Sequence, residues 1–221
     1  VWAFVISGQD TLLGGGIYWC EQKKTSKNTC SNAPAAVFAV RMFEATKDTV
    51  YLEQAKQWYL WTKRTLQDPD DGLYWDNIRL DGTVDRRKFP YNSGQMLQCA
   101  VLLYELTRDE GYLTDAHRIA ESGYAYFFEG DGTAGAVRRL KRSDNWFIAV
   151  MLRGYLELHR VTGQDSYLEA FRKSLETAWY DGRDASGLFG KDWSRMPRPG
   201  ARKWLLDQAA MVEMYARLSL Y

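Results

Sequence analysis

Hydrophobic and polar positions along the chain follow two helical patterns in turn. Four segments are apolar on nearly every side, as in helices buried all round: 35–45, 95–106, 146–158 and 203–221. Three others carry apolar residues on one face and charged residues on the other: 51–66, 112–128 and 167–180. Residues 1–7 are typical of the end of a helix, which Gly8 can cap. The pattern therefore predicts fully buried helices that alternate with amphipathic ones.

A repeated motif marks the start of each amphipathic helix. Threonine, four residues and Tyr-Leu recur at Thr46, Thr107 and Thr162, which are 61 and 55 residues apart. This period is above the usual range of solenoid repeats, so each unit has room for two full-length helices. The chain is therefore predicted to be a series of helical hairpins.

Connection lengths predict how these hairpins are arranged. Long and short connections alternate, and the long ones include 8–32, 67–90, 129–142 and 181–202. An inner ring of parallel helices inside an outer antiparallel ring satisfies this alternation, and it places every long loop on one rim. We therefore predict an all-α fold of the (α/α)6-toroid type. Loops on a rigid scaffold commonly carry binding groups, so function is expected on the long-loop rim.

The length of the chain bears on how complete this ring is. Six hairpins of about 58 residues would need about 350 residues, whereas the chain has 221 and supplies seven full helices and one partial helix. A closed ring therefore lacks roughly two hairpins. We expect residues 1–221 to be one toroid domain from which the N-terminal hairpins are missing.

Composition and charge exclude several classes of partner. Apolar residues make up 46% of the chain, and the net charge is +1. Without a basic block along the sequence, neither nucleic acid nor an anionic membrane is favoured. The short runs 85–88 and 138–142 are interpreted as solvated loops. No apolar run has the roughly 18–20 residues that cross a bilayer.

Cysteine and histidine give little indication of metal or redox chemistry. Cys20 and Cys30 share a loop and could pair in an exported protein, while Cys99 fits a small core residue. No Cys-x-x-Cys or histidine cluster suggests a metal site, and no cofactor is expected.

The starts of the inner helices carry amides and carboxylates. They are Asn32, Asn92, Gln95, Asp144, Asn145, Asp207 and Gln208. Capping of free backbone N–H groups is the simplest explanation for Asn32, with Pro34 in the first turn, and for Asp144. Gln95, Asp207 and Gln208 lie further in, where capping explains them less well. Such a polar ring at the mouth of an apolar barrel suits a neutral ligand rich in hydroxyl groups.

Aromatic residues crowd the same predicted rim. They are Tyr18, Trp19, Tyr74, Trp75, Tyr91, Trp146, Phe189, Trp193 and Trp204. Each alone is more often a core or loop residue. Together they fit platforms for sugar rings, whose C–H faces pack on aromatic surfaces while amides bind the hydroxyls.

Four ordered motifs resemble glycoside hydrolase family 76, the endo-α-1,6-mannanases. They are Gly-Gly-Gly-Ile-Tyr-Trp at 14–19, Lys-Asn-Thr-Cys-Ser-Asn-Ala-Pro at 27–34, Asp-Gly-Leu-Tyr-Trp-Asp at 71–76 and Tyr-Asn-Ser-Gly-Gln at 91–95. The resemblance extends from about residue 5 to the C-terminus. It implies an (α/α)6 barrel and retaining hydrolysis of α-1,6-linked mannan. The substrate-binding residues expected from the rim are Trp19, Asn32, Trp75, Tyr91, Asn92, Gln95, Asp144, Asn145 and Asp207.

The resemblance also implies a catalytic pair of adjacent aspartates at an inner-helix start. That pair is expected before residue 1, so the catalytic residues are not identified in this sequence. Asp70-Asp71 is the one adjacent aspartate pair present, and its Pro-Asp-Asp-Gly context indicates a turn. Asp144 and Asp207 are the fallback candidates. Both are more readily explained as residues that bind hydroxyls or orient other groups.

Two other functions use similar scaffolds. A noncatalytic glycan-binding toroid would need no catalytic aspartates. A sugar 2-epimerase would favour histidines at the funnel, but His117 and His159 fall in an outer helix and near a short turn. A polysaccharide or oligosaccharide is thus the expected partner. The protein is expected to be a monomer. Export is favoured by the resemblance alone.

Overall fold

The structure, a computed structural model, describes residues 1–130 and 136–221. These residues form eight α-helices: α1 (Trp2–Ser7), α2 (Thr29–Thr46), α3 (Thr49–Leu66), α4 (Pro90–Thr107), α5 (Glu110–Phe127), α6 (Asn145–Thr162), α7 (Ser166–Asp181) and α8 (Leu205–Leu218). Five short strands lie between them: β1 (Ser26–Asn28), β2 (Trp75–Arg79), β3 (Val84–Lys88), β4 (Phe128–Glu129) and β5 (Arg139–Leu140). The all-α hairpin fold predicted from the sequence is confirmed.

The helices form two layers. In the inner layer α4 packs against α2 and α6, and α6 packs against α8. Each of α3, α5 and α7 packs on the inner helix that precedes it. Tyr91 and Trp146, near the starts of α4 and α6, stack on each other, while Glu105 and Arg160 pair near their ends. Inner helices therefore run parallel, and their starts lie on the rim that carries the long loops.

Short turns join each inner helix to its outer partner in one conserved geometry. Thr46, Thr107 and Thr162 each donate a hydrogen bond to the carbonyl four residues earlier. The next residue, Lys47, Arg108 or Gly163, adopts a left-handed conformation with φ of 62°, 59° and 71°. This geometry reverses the chain and explains the sequence repeat. It is the helix-ending conformation that a residue after the last turn commonly adopts.

Strands in the long loops were not predicted. β1, β2 and β3 form an antiparallel sheet in that order, and β2 and β3 meet at the Asp81-Gly82 turn. β4 pairs with β5. Of the predicted loop 129–142, residues 131–135 lie outside the described residues.

Two details of the helix starts differ from the predictions. Helix α2 begins at Thr29 with Asn28 as its N-cap, so Asn32 does not cap it and Pro34 lies inside it. Because β1 pairs with β2 and ends at Asn28, helix α2 begins several residues earlier than the sequence pattern indicated. Asp144 is at the N-cap of α6, but its side chain makes no capping hydrogen bond.

Two glycines let α4 and α6 approach backbone to backbone. A Cβ at Gly94 would overlap the Cα of Met151, and one at Gly154 would overlap the carbonyl oxygen of Gly94. These glycines set the spacing between the two central inner helices.

We expect Gly94→Ala to lower the free energy of unfolding by about 2 kcal/mol, because overpacking of a rigid contact costs roughly 1–3 kcal/mol. Urea unfolding followed by circular dichroism measures the change. The control is Gly111→Ala, whose methyl group would meet only the flexible end of the Asp109 side chain. Equal stability of Gly94→Ala and wild type would contradict the close approach.

Candidate active site

A polar cleft of about 450 Å³ opens on the long-loop rim. One wall is the β2–β3 hairpin, and the other is the segment from Trp19 to Cys30. Its lining includes Trp19, Asn28, Cys30, Asp76, Asn77, Asp85, Arg87 and Tyr91. Since β1 leads directly into α2, the same sheet forms the cleft and fixes where an inner helix begins.

Asp76 lies at the floor of this cleft and is almost entirely buried. Its carboxylate accepts a hydrogen bond of 2.9 Å from Asn77 and weaker ones of 3.4 Å from the Tyr91 hydroxyl and the Asn92 amide. Burial raises the pKa of Cys30 to about 11, and the negative charge of Asp76 adds to the effect. Cys30 is thus a neutral thiol beside the carboxylate.

Aromatic rings continue the cleft toward the start of α6. Phe89 and Tyr91 stack with an interplanar angle of 5°, and Tyr91 stacks on Trp146 at a centroid distance of 5.4 Å. Phe147 packs edge-on against all three rings. Burial, with the nearby charge of Asp76, raises the pKa of Tyr91, so its hydroxyl stays protonated at neutral pH.

Two carboxylates stand beyond this row of rings. Asp144 forms an ion pair of 3.0 Å with Lys191. Asp207, in the first turn of α8, is only 3% exposed. Burial raises its pKa, the charge of Asp144 raises it further, and Lys191 partly offsets both effects. Asp144 and Asp207 therefore lie near each other, at the starts of the neighbouring inner helices α6 and α8.

A second cleft, of about 430 Å³, joins the two halves of the rim. It is lined by Phe89 and Pro90 on one side and by Asp144 and Phe147 on the other. Asn92, Asp144 and Asp207 lie at the starts of the inner helices α4, α6 and α8, on the long-loop rim.

Three predicted rim amides are fully buried: two of them hold loop backbone, and the third, Asn92, binds a carboxylate. Asn32 binds both the N–H and the carbonyl of Ile17, and also the carbonyl of Asn28. Asn145 donates to the carbonyl of Gly190, and Asn92 donates to Asp76. The Asn32 oxygen and both of its N–H groups are engaged in these bonds, so its role in this structure is to hold the loop backbone. Loop backbone at an inner-helix start needs partners, and Asn32 and Asn145 supply them.

The other predicted binding residues are more accessible. Trp19 is 64% exposed at the mouth of the cleft. Trp75 is half-buried in β2, where Arg86 lies 5.2 Å from its ring. Gln95 is also half-buried and donates to Gln98 along α4. Tyr18, Tyr74, Phe189 and Trp193 are buried and belong to the core, whereas Trp204 is exposed.

Lys27 holds the loop that carries Trp19. Its ammonium group is completely buried and donates to Asp10 at 2.7 Å and to the carbonyls of Leu12 and Gly15 at 2.7 and 2.6 Å. Desolvation would raise the pKa of Asp10, but hydrogen bonds from Lys27 and Tyr18 bring it below the usual value. One lysine thus fixes both ends of the glycine-rich loop.

Sequence reasoning missed Asp76, Arg87, Phe89 and Phe147 as residues of the rim. The signal that could have located Asp76 is the Asp81-Gly82 turn directly after the segment from Trp75 to Leu80, since Asp-Gly is a typical hairpin turn. Asp70-Asp71 does form a turn, in which Asp71 accepts from the N–H of Leu73.

All three cysteines are free thiols, so Cys20 and Cys30 form no disulfide. Within residues 1–130 and 136–221, no group of three or more His, Cys, Asp or Glu side chains is placed to hold a metal ion. The helices described there are all too short or too polar to span a bilayer. His117 lies on α5, and His159 lies near the end of α6, away from the cleft.

Helical hairpins in two layers, with a cleft on the long-loop rim, define an all-α toroid. The model of glycosyl hydrolase family 76 matches residues 1–219, and the chain belongs to this family. No curated protein matches the chain significantly.

Solved structures of family members superpose closely on the chain. A family 76 glycoside hydrolase from a bovine Bacteroides thetaiotaomicron strain has 35% identity and a TM-score of 0.90, over 99% of this chain and 49% of that one. A family 76 mannosidase from Bacteroides thetaiotaomicron has 33% identity and a TM-score of 0.90, over 99% and 62%. The α-1,6-mannanase of Salegentibacter sp. has 33% identity and a TM-score of 0.86, over 99% and 67%. The chain thus spans about half to two-thirds of these relatives.

We expect Lys27→Met to lower the free energy of unfolding by about 2 kcal/mol, because the half-buried Asp10 carboxylate and two carbonyls lose the buried ammonium group that they bind. Chemical denaturation measures this loss. Lys24→Met removes a charge from an exposed lysine of the same loop and should leave stability unchanged. Equal effects of the two substitutions would show that Lys27 does not fix the loop.

Asp207→Asn tests the electrostatics of the rim. The raised pKa means that the folded state binds a proton at Asp207 more tightly than the unfolded state. Protonated Asp207 therefore stabilises the folded state at a pH below 3.8, its ordinary pKa. This stabilisation is lost as the pH rises through the raised pKa of the folded state. At pH 7 the substitution should therefore raise Tm, and the gain should shrink in acid. Asp70→Asn, at an exposed turn, is the control, and a lower Tm for Asp207→Asn at pH 7 would refute the assignment.

Proposed function

We propose that the protein is a glycoside hydrolase that acts on α-1,6-linked mannan with retention of anomeric configuration. Membership of family 76, together with the cleft of rings and carboxylates on the loop rim, supports this proposal. The Salegentibacter relative is an α-1,6-mannanase, and an inactive variant of it, with two adjacent aspartates replaced, was solved in complex with α-1,6-mannotetrose. That variant has 32% identity to this chain and a TM-score of 0.85.

Aromatic residues of the rim would supply surfaces for the sugar rings. Trp19 and Tyr91 line the cleft and expose ring surface, while Trp75 extends the same wall. Apolar faces of pyranose rings pack on such surfaces, and the polar edges remain free for hydrogen bonds.

Carboxylates and one amide would bind the sugar hydroxyls. Asp144 and Asp207 lie near each other at the starts of α6 and α8, and Gln95 lies in the second turn of α4. Asn92 and Asn145 would act from behind by holding Asp76 and the loop at Gly190 in place. Asp76 joins the set because it lies at the cleft floor.

Retaining hydrolysis needs a nucleophilic carboxylate and a carboxylic acid about 5 Å apart. We propose no residue of this chain as the nucleophile. Asp70-Asp71 is bound in a turn, where Lys88 pairs with Asp71 at 2.7 Å. Asp144 and Asp207 are the remaining candidates, and their proposed role is to bind hydroxyls or to orient the catalytic groups.

The alternatives receive less support. An epimerase would need proton-transfer groups at the funnel, but His159 contacts the carbonyl of Gln164 at the opposite end of α6. A noncatalytic glycan-binding protein would share the rim but release no product.

We expect the full-length protein to release new reducing ends from α-1,6-mannan, with the α-anomer formed first. A reducing-sugar assay measures release, and NMR of the first product identifies the anomer. Tyr91→Ala should raise KM roughly tenfold, since it removes a stacking surface worth about 1 kcal/mol or more. Tyr180→Ala, on the exposed face of α7, is the matched control.

Three results would overturn the proposal. Absence of new reducing ends across a broad pH range would exclude hydrolysis and favour the glycan-binding alternative. A β-anomer as first product would exclude retention. Equal KM values for Tyr91→Ala and Tyr180→Ala would exclude the aromatic row as part of the binding surface.

A further inference from the structure

A third pocket, of about 270 Å³, is strongly cationic. Five positive side chains and one carboxylate line it: Arg142, Lys191, Arg195, Arg198, Arg202 and Asp192. Five positive charges against one negative leave a formal excess of four, although the whole chain carries only +1. The fold brings Arg142, just before α6, together with the loop that precedes α8. No basic block along the sequence revealed this cluster.

Ion pairs neutralise only part of the cluster. Asp192 contacts both Arg142 and Arg195, and Lys191 pairs with Asp144. Arg198 and Arg202 form no ion pair in the described part of the chain, and both are exposed. Two guanidinium groups therefore remain to bind an anion.

The pocket adjoins the proposed sugar-binding rim. Asp144 and Asp192 form an antiparallel backbone bridge, and the N–H of Asn145 donates to the carbonyl of Lys191 at 3.0 Å. Arg142 lines both this pocket and the cleft that contains Asp144 and Phe147. A group attached to a sugar in that cleft would thus reach the guanidinium groups directly.

We infer that this pocket binds a tetrahedral oxyanion, a phosphate or sulfate ester, carried by the glycan. The inference rests on the proposed function and narrows its substrate to an anionic α-mannan. Planar guanidinium groups bind such esters through paired, charge-assisted hydrogen bonds. An oxyanion would also relieve the mutual repulsion of the crowded cations. A neutral glycan needs no such cluster.

A lipid surface is the competing explanation for a basic region with exposed apolar residues. Met196, Trp204 and Leu205 are exposed nearby. However, the cations line a concave pocket beside the cleft instead of spreading over a flat face. This arrangement favours a small anionic group on the substrate over a membrane.

The test is calorimetric titration of the protein with thio-linked α-1,6-mannotriose, which resists hydrolysis. The trisaccharide is used neutral and with one phosphate or sulfate ester on the mannose at either end. At least one ester should bind roughly tenfold tighter than the neutral compound, as a charge-assisted hydrogen bond can provide. Arg198→Gln combined with Arg202→Gln should abolish this preference and leave the neutral affinity unchanged.

Controls separate this site from general electrostatics. Each single variant, Arg198→Gln or Arg202→Gln, should weaken the preference for the ester over the neutral trisaccharide. Arg64→Gln, which removes one exposed charge from α3, should leave that preference unchanged. Inorganic phosphate alone should bind far more weakly than the ester. Equal loss in Arg64→Gln, or equally tight binding of inorganic phosphate, would overturn the assignment to a substrate group.

The remaining outcomes distinguish this inference from the proposed function. If all trisaccharides bind equally and neutral α-1,6-mannan is hydrolysed, only the oxyanion site is refuted. If no trisaccharide binds, both proposals fail. Vesicles of phosphatidylcholine with phosphatidylserine should not bind. Vesicle binding that is lost in the Arg198→Gln, Arg202→Gln double variant would assign the cluster to a lipid surface and refute the inference.

Discussion

Close contact between α4 and α6 is the constraint on which the arrangement of the rim depends. Gly94 and Gly154 let the two backbones touch, and any larger residue at either position would force the helices apart. Because the two helices run parallel, their starts then lie side by side, and Tyr91 stacks on Trp146. The same inner layer continues to α2 on one side and α8 on the other. The proposed binding rim is therefore a consequence of how the inner helices pack.

Buried polar side chains hold the long loops on this scaffold. A loop at the mouth of an apolar barrel exposes backbone groups that need partners, and Lys27, Asn32 and Asn145 provide them. Gln208 does the same for both backbone groups of Phe189. These residues shape the cleft from behind, which leaves aromatic rings and carboxylates at its surface. The polar residues of the rim thus fall into two groups: those that hold the loops in place and those at the surface of the cleft.

Much of the fold could be predicted from the sequence because apolar periodicity and loop length are local signals. The Thr-to-Tyr repeat located every short turn, since the threonine hydroxyl and the left-handed residue after it form one compact motif. The alternation of buried and amphipathic helices gave the two layers. The three-stranded sheet was missed because its partners, β1 and β2, are nearly 50 residues apart. Only long-range pairing makes them strands.

Prediction of the site was limited by side-chain orientation. Asn32 and Asp144 both belong to helix starts in the sequence, but the start of α2 at Thr29 turns Asn32 inward to Ile17. A difference of a few residues in where a helix begins decides whether an amide faces a ligand or a loop. The cluster of positive charges could not be predicted either, because Arg142 and Arg202 are far apart in the sequence. The backbone bridge between Asp144 and Asp192 brings their two loops together.

The central claim is that rings and carboxylates from successive inner-helix starts form one carbohydrate-binding rim. The most direct test is a crystal structure of the protein with α-1,6-mannotetraose bound. The account predicts a ligand that lies along the rim, with sugar rings against Trp19 or Tyr91 and hydroxyls within hydrogen-bond distance of Asp144 or Asp207. A ligand bound elsewhere, for example in the apolar groove between Trp179 and Tyr215, would contradict it.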